Sequence, residues 1–208
     1  MSESDCMKKM EQKFIETICI KDGRVLNLRY HNERMNRTRK IHWGETVGEL
    51  FLEDFIKTEP SHSYTRCRVV YGEDIEEIAY YPYQVRPVHS LKLVVDDEAD
   101  YRYKSADRSL LNRLFAERDT ADDVLIVRKG QLTDTSIANI ALFDGKEWFT
   151  PTNPLLKGTR RQSLLDEGQL KERDINVDTL SAYQKIRLFN AMIPFGEVEL
   201  VLDHTTIR

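Results

Sequence analysis

The stretch Leu132-Thr133-Asp134-Thr135-Ser136-Ile137-Ala138-Asn139-Ile140-Ala141-Leu142-Phe143-Asp144-Gly145 places a carboxylate where a polar bend gives way to an apolar run. The run reads as a strand and ends at a turn at Asp144-Gly145. Upstream, "DVLIVRKGQLTD" turns at Lys129-Gly130, and downstream "KEWFTPT" is again strand-like. The segment therefore predicts three strands joined by turns. Taken alone, Asp134 is a turn residue, because aspartate bonds its own following backbone.

Working outward, "GTRRQSLLDEG" predicts a helix entered at Gly158-Thr159, and "KIRLFNAMIPFGEVELVLD" closes the chain with more strand. Before the opening stretch, "SADRSLLNRLFAERDTA" predicts a helix with Leu110, Leu111, Leu114 and Phe115 on one face and Ser105 or Asp107 as its cap. The charged run "DDEADYRYK", residues 96–104, marks a boundary between two lobes, 1–95 and 96–208. In the first lobe "FIETICIKDGRVLNLRYHNERMNRTRK" reads as strand, a turn at Asp22-Gly23, strand, then a helix from about His31 that carries Arg34, Arg37 and Arg39. The spacing of Val47, Leu50, Phe51, Phe55 and Ile56 predicts a second helix. "YTRCRVVYG", "EEIAYYPYQV" (broken at Pro82) and "SLKLVVDD" are strands. The pattern is α+β: two lobes, each with an antiparallel sheet and segregated helices.

The chain has 208 residues, 40% hydrophobic and 32% charged, with a formal net charge of -4. That balance points away from nucleic acid and anionic membranes as partners. No apolar run reaches the roughly 18 residues of a membrane span, and the N-terminus "MSESDCMKKMEQKF" has no signal-peptide core. Cys6, Cys19 and Cys67 are too scattered for a disulfide framework, and no Cys/His cluster suggests a metal. A reducing cytoplasm is the expected compartment.

Four features suit a phosphorylated aldehyde cofactor. Lys104 could form an imine. Asp134 could keep a ring nitrogen protonated. The Gly158-Thr159-Arg160 bend could offer backbone N–H groups to a phosphate, and Arg34 could clamp it. Each also has an ordinary reading: a solvated lysine, a turn aspartate, a plain helix start, a solvated arginine face. Tyr80, Tyr81 and Tyr83 read either as pocket lining or as a half-buried strand.

The order of these features resembles the class IV (fold type IV) pyridoxal-phosphate enzymes, which include branched-chain aminotransferases, D-amino-acid aminotransferase and 4-amino-4-deoxychorismate lyase. The matching text is "K…DRSLLNRL…ADDVLIVRKGQLTDTSIANIALFDGKEWFTPTNPLLKGTRR", with "FIETICIKDGRVLNLRYHNERM" in the first lobe. The resemblance is weakest over residues 40 to 95. It implies a two-lobed fold with the cofactor, pyridoxal 5′-phosphate, between a smaller α+β lobe and a barrel-like lobe carrying most cofactor contacts. It makes Lys104 the Schiff-base lysine and general acid/base, and Asp134 the partner of the pyridine nitrogen. It assigns Arg34 and the N–H groups of Thr159 and Arg160, after Gly158, to the phosphate. Asn139 is expected to bond backbone near the bend, Asn190 of "FNAMIP" to lie near the cofactor, and His31 to pack at the helix start. "FNAMIP" is similar to the "cNalmP" text of aminodeoxychorismate lyases. The resemblance also implies a homodimer acting on a small amino substrate. Three activities stay open: the lyase of folate precursor synthesis, an aminotransferase using a 2-oxo acid, and a degenerate cofactor-binding scaffold. The chain departs from the family in having Asp134 for glutamate, and in Ala141, Trp148 and Thr159. It reaches "FIET" almost at once, so the family's first strand and "D…yGd" segment are expected to be missing.

Overall fold

A computed structural model of the protein describes residues 12–208, so Cys6 and most of the polar N-terminal run lie outside the described residues. Contacts divide the chain into two units, residues up to 84 with 103–107, and 85–102 with 108–208.

The first unit is an antiparallel sheet under one long helix. Strand β1 (Phe14–Lys21) turns at Asp22-Gly23 into β2 (Arg24–Val25), and β3 (Tyr64–Tyr71) and β4 (Ile75–Pro82) complete the order β2-β1-β3-β4. Asp22 and Gly23 both take positive φ, 49° and 72°, as a two-residue hairpin turn of matching twist requires. Phe14, Ile18 and Ile20 of β1 and Cys67, Val69 and Tyr71 of β3 form one buried cluster. Helix α1 (Leu28–Trp43) packs on it through Met35. The helix begins three residues before the expected His31, because Asn27 takes the left-handed conformation (φ 54°) and its carbonyl accepts from Tyr30 and His31. Asparagine tolerates that geometry better than most residues. The ordinary reading of Arg34 as part of a solvated arginine face does not hold: Arg34 and Arg39 are buried, whereas Arg37 is exposed.

The helix expected over residues 47–56 does not form; a single 3-10 turn at Leu52–Asp54 stands there. Side chains of α1 take the backbone groups a helix would have paired. Asn36 donates to the Leu50 carbonyl (2.8 Å) and accepts from the Leu50 N–H (3.0 Å). Asn32 accepts from the Leu52 N–H (2.9 Å), and Arg39 donates to the Gly48 carbonyl (2.6 Å). With its polar backbone satisfied, the loop buries Leu52 and partly buries Leu50 and Ile56.

In the second unit β5 (Leu91–Val95) leads through α2 (Ser109–Ala116) to β6 (Asp123–Arg128), β7 (Gln131–Thr135), β8 (Asn139–Phe143) and β9 (Trp148–Pro151). Then follow α3 (Thr159–Asp166), β10 (Lys171–Arg173), β11 (Lys185–Phe189) and β12 (Val198–Val201). The stretch 123–151 is thus four strands rather than three, since the Lys129-Gly130 turn makes a hairpin of its first part. The sheet is mixed rather than antiparallel: β5 pairs β6, and β9 pairs β10, in parallel. Each parallel pair is joined through a helix, α2 or α3, which is how a chain returns to the same sheet end. Helix α2 starts at Ser109 with Arg108 before it, and Ser105 instead accepts from the Asp107 N–H. Strand β11 joins β8 to β12, and the chain end returns to the free edge of β5, where Leu91 N–H donates to Thr206 (2.7 Å) and Arg208 N–H to Leu91 (2.9 Å). The result is a mixed sheet of eight strands. Leu91, Leu125, Val127, Leu132, Ile140, Leu142, Ile186 and Leu188 belong to one buried cluster, while alternate residues such as Val124, Ile126 and Ala141 pack in separate clusters with α2 and α3.

Asn36→Ala strips three hydrogen bonds that join α1 to the loop at residues 48–52 and to Arg39. We expect a loss of about 1–3 kcal/mol in unfolding free energy by urea titration; an unchanged midpoint would mean that water replaces these bonds without cost.

Candidate active site

In the first unit the residues of interest meet at Glu16. Strand alternation puts Glu16 on the same face as Phe14 and Ile18, where an apolar side chain would be expected, and it is wholly buried. Its Oε1 accepts from Arg34 Nε (2.8 Å), and its Oε2 accepts from Arg34 Nη2 and lies 2.6 Å from His31 Nδ1. Burial pushes the Glu16 carboxyl up, but the Arg34 charge and the hydrogen bonds from Arg34 and His31 outweigh it and hold the group at about 2. Burial pushes His31 down, helped by the charges of Arg34 and Lys104 and opposed by Glu16, so the imidazole stays neutral near pH 7. Nδ1 then carries the proton donated to Glu16.

Lys104 lies in a segment laid along β1. Ile15 N–H donates to the Lys104 carbonyl (3.1 Å), Ala106 N–H donates to Lys13 (2.8 Å), and Ser105 bridges Phe14. Lys104 itself has φ 56°. A side-chain-bearing residue held in that region is a strain that the flanking pairing must maintain.

In the second unit the opening stretch forms a tight bend. Thr135 N–H donates to Ala138 (2.9 Å), and the Thr135 hydroxyl accepts from Ala138 N–H (3.0 Å). Asp134, buried on β7, faces Asn139 across the β7–β8 pair. Asn139 Nδ2 donates to Asp134 Oδ1 and to the Leu156 carbonyl (both 2.8 Å), and Leu156 N–H donates to Asp134 Oδ2 (2.9 Å). Burial raises the Asp134 carboxyl from 3.8 to about 6, against the bonds from Asn139 and Leu156 and the charge of Arg161. Gly158 precedes α3 with no side-chain cap on the helix. A Cβ there would sit 2.0 Å from Asn139 Oδ1, so only glycine fits. Thr159 is buried behind it. Asn190 donates to the Ile137 carbonyl (2.9 Å) and accepts from Met192 and Ile193, tying "FNAMIP" to the same bend.

Five of the expected site residues, Asp134, Asn139, Gly158, Thr159 and Asn190, thus gather in the second unit, and Arg34 and Lys104 belong to the first. The Arg160 side chain runs along α3 to Ser163 (3.0 Å) and Glu167 (3.5 Å). Three residues escaped the sequence reading. Glu16 looks like any polar residue on a strand. Arg161 is buried, bonded to the Pro151 carbonyl (2.8 Å) and Glu172 (2.6 Å). Arg66 shares a face of the first sheet with Cys19 and Tyr81, its neighbours across β1 and β4, opposite the face that packs α1. The Arg66 guanidinium stacks over Tyr81 (5.0 Å), and its buried Nε has no hydrogen-bond partner among the described residues. A strand pattern alone could not distinguish Arg66 from Arg68.

A helix start entered from a glycine that cannot carry a side chain can present backbone N–H groups to a phosphate. A buried carboxyl raised by desolvation gains from a nearby cation and can accept from a ring N–H⁺. Both fit pyridoxal phosphate. The family model described as amino-transferase class IV matches residues 13–201. The chain belongs to this family. It is a pyridoxal-phosphate-dependent class IV enzyme of fold type IV, which sets aside the reading as a non-enzymatic scaffold. An uncharacterized protein of Haemophilus influenzae is 36% identical over 180 residues, covering 85% of this chain and 96% of its own. The crystal structure of a proposed 4-amino-4-deoxychorismate lyase from Haemophilus somnus is 32% identical, with a TM-score of 0.82 over 88% of this chain and 97% of that one. A hypothetical aminotransferase of Mycobacterium tuberculosis in its pyridoxal-phosphate-bound form shares the fold, at 18% identity and a TM-score of 0.75 over 100% of this chain and 85% of that one. Among the described residues no helix is long and apolar enough to cross a membrane.

The raised Asp134 carboxyl makes a signed prediction for the cofactor-free class IV chain. The folded protein holds a proton up to about 6 that the unfolded chain releases near 3.8. Its contribution to stability is complete below the lower value and declines as pH climbs to the upper one. The melting temperature of the wild type, relative to Asp134→Asn, should fall across that window and level off above it; a difference independent of pH would mean that the carboxyl is not raised.

Proposed function

We propose that this class IV enzyme is a lyase that converts 4-amino-4-deoxychorismate to 4-aminobenzoate and pyruvate, a step toward folate precursors. The observation that carries the reading is its likeness to the Haemophilus somnus protein, which bears that proposed activity and matches over nearly its whole length. The Asn190 turn of "FNAMIP", bonded to the bend that holds Asp134, supports it.

When bound, the cofactor would supply an electron sink beside the substrate amine. The Nζ of Lys104 anchors it and moves a proton: it removes the hydrogen from the ring carbon that bears the amine and delivers one to the leaving enolpyruvyl methylene. The C–O bond breaks, pyruvate leaves, and the ring becomes aromatic. No atom is added, so no second substrate is needed. The Asp134 carboxylate holds the ring-nitrogen proton by opposite charge. Asn139 keeps that carboxylate turned, and the N–H groups of Thr159 and Arg160 after Gly158 would take the phosphate, a role the family pattern gives to Arg34 as well. The Arg66 guanidinium, stacked on Tyr81 with an unbonded Nε, would take a substrate carboxylate. The same Lys104 and Asp134 serve an aminotransferase equally, the alternative to be tested. By the family pattern we further propose a cytoplasmic homodimer.

Aminodeoxychorismate supplied without any 2-oxo acid should yield 4-aminobenzoate and pyruvate in equal amounts. Turnover only with an amino acid plus a 2-oxo acid would replace the lyase by the aminotransferase. Arg66→Met should raise KM by about tenfold or more, the worth of a charged hydrogen bond, with a much smaller change in kcat; an unchanged KM would remove Arg66 from substrate binding.

A further inference from the structure

A carboxylate on the core face of a strand needs a reason. Glu16 takes a position between Phe14 and Ile18 where an apolar residue would pack without cost, and it is wholly buried. We propose that Glu16 is a positioning residue of the cofactor site, one that fixes the plane of the Arg34 guanidinium and sets the charge around Lys104. The inference rests on the assignment of Arg34 and Lys104 to the cofactor.

The geometry supports orientation. Two N–H groups of Arg34, on Nε and Nη2, enter the two oxygens of Glu16 as a fork meeting a fork. An arginine side chain is rich in rotamers, and an anion that binds a loose one must order it. Here the ordering is done by the fold. His31 closes the arrangement from the preceding turn of α1, since residues three apart share a helix face. Its neutral ring donates to the oxygen that also receives Nη2.

The charges support the second half. The groups coupled to Glu16 are Arg34 and His31 from α1 and Tyr71 from β3, whose hydroxyl burial and Glu16 push up; the Lys104 charge, from the segment laid on β1, reaches the same His31. With His31 and Tyr71 neutral, Glu16 is the anion among the groups that act on His31, and Arg34 and Lys104 are the cations. Its loss would add one positive charge to a cluster whose field reaches His31 together with that of Lys104. A cation next to a protonated nitrogen favours release of that proton.

The test is Glu16→Gln, which keeps the shape and removes the charge, beside Glu16→Asp, which keeps the charge and breaks the fork. Pyridoxal phosphate binding and the pH midpoint of its visible band at Lys104 are read by absorbance, and folding by thermal melts without cofactor. Both variants should bind pyridoxal phosphate about tenfold more weakly or worse. Glu16→Gln should also shift the midpoint of the band to lower pH, while Glu16→Asp leaves it near the wild-type value. If Glu16→Gln does not fold, unchanged cofactor affinity in Glu16→Asp overturns the proposal on its own. Unchanged affinity and midpoint in a folded Glu16→Gln, with Arg34→Met weakened, overturn the role of Glu16 and leave Arg34 in place. If Arg34→Met and Lys104→Ala also bind as the wild type does, the cofactor assignment itself falls.

Discussion

Asn139 spends one amide nitrogen on two acceptors, the Asp134 carboxylate and the Leu156 carbonyl, while Leu156 returns a bond to the same carboxylate. This closed set joins the β7–β8 bend to the approach of α3. It also brings Asn139 Oδ1 so near Gly158 that no Cβ can stand there. Because buried polar groups must be paired, the three segments cannot shift independently. Asn190, reaching the carbonyl of Ile137, extends the constraint to the turn after β11. The helix start at Thr159 is therefore held by a carboxylate twenty-odd residues earlier rather than by a side-chain cap of its own.

Two of the buried carboxylates, Glu16 and Asp134, are treated in opposite ways. Glu16 faces a guanidinium through two hydrogen bonds and is held at about 2, so it is an anion whenever the protein is folded near neutrality. Asp134 receives only neutral donors directly, with Arg161 acting through its charge, and burial carries it to about 6. A paired carboxylate is finished business electrostatically. An unpaired one is stabilised by whatever cation arrives, so the second is suited to meet a protonated ring and the first to organise its own neighbours.

The legible parts of the sequence were those whose signal is local. Asp22-Gly23 and Lys129-Gly130 are turns because two consecutive positive φ values need such residues, and the Gly158 helix start was visible in its own text. The change from polar to apolar residues after Asp134 marked the right bend. What failed was non-local. Residues 47–56 carry a helical apolar spacing, yet Asn32, Asn36 and Arg39, from another element, take their backbone groups. The antiparallel expectation for the second unit failed because parallel pairing depends on where α2 and α3 return the chain. Glu16 and Arg66 were passed over because a lone charge in a strand shows neither its face nor its partner until register is known.

Asp134 stands where the family is expected to have glutamate, a side chain shorter by one methylene, on the order of 1.5 Å. Length alone would argue for a lost contact. The donors argue otherwise. Leu156 N–H belongs to backbone, and the Asn139 amide is pinned by the Leu156 carbonyl, so both acceptor positions are set at 2.8 and 2.9 Å from fixed atoms. A glutamate from the same Cα would have to fold back to use them, at a cost in rotamer strain. The short carboxylate is thus matched to a bend whose donors lie close to β7. The substitution is coupled to the local packing of Asn139 and Gly158 rather than being an isolated loss of reach.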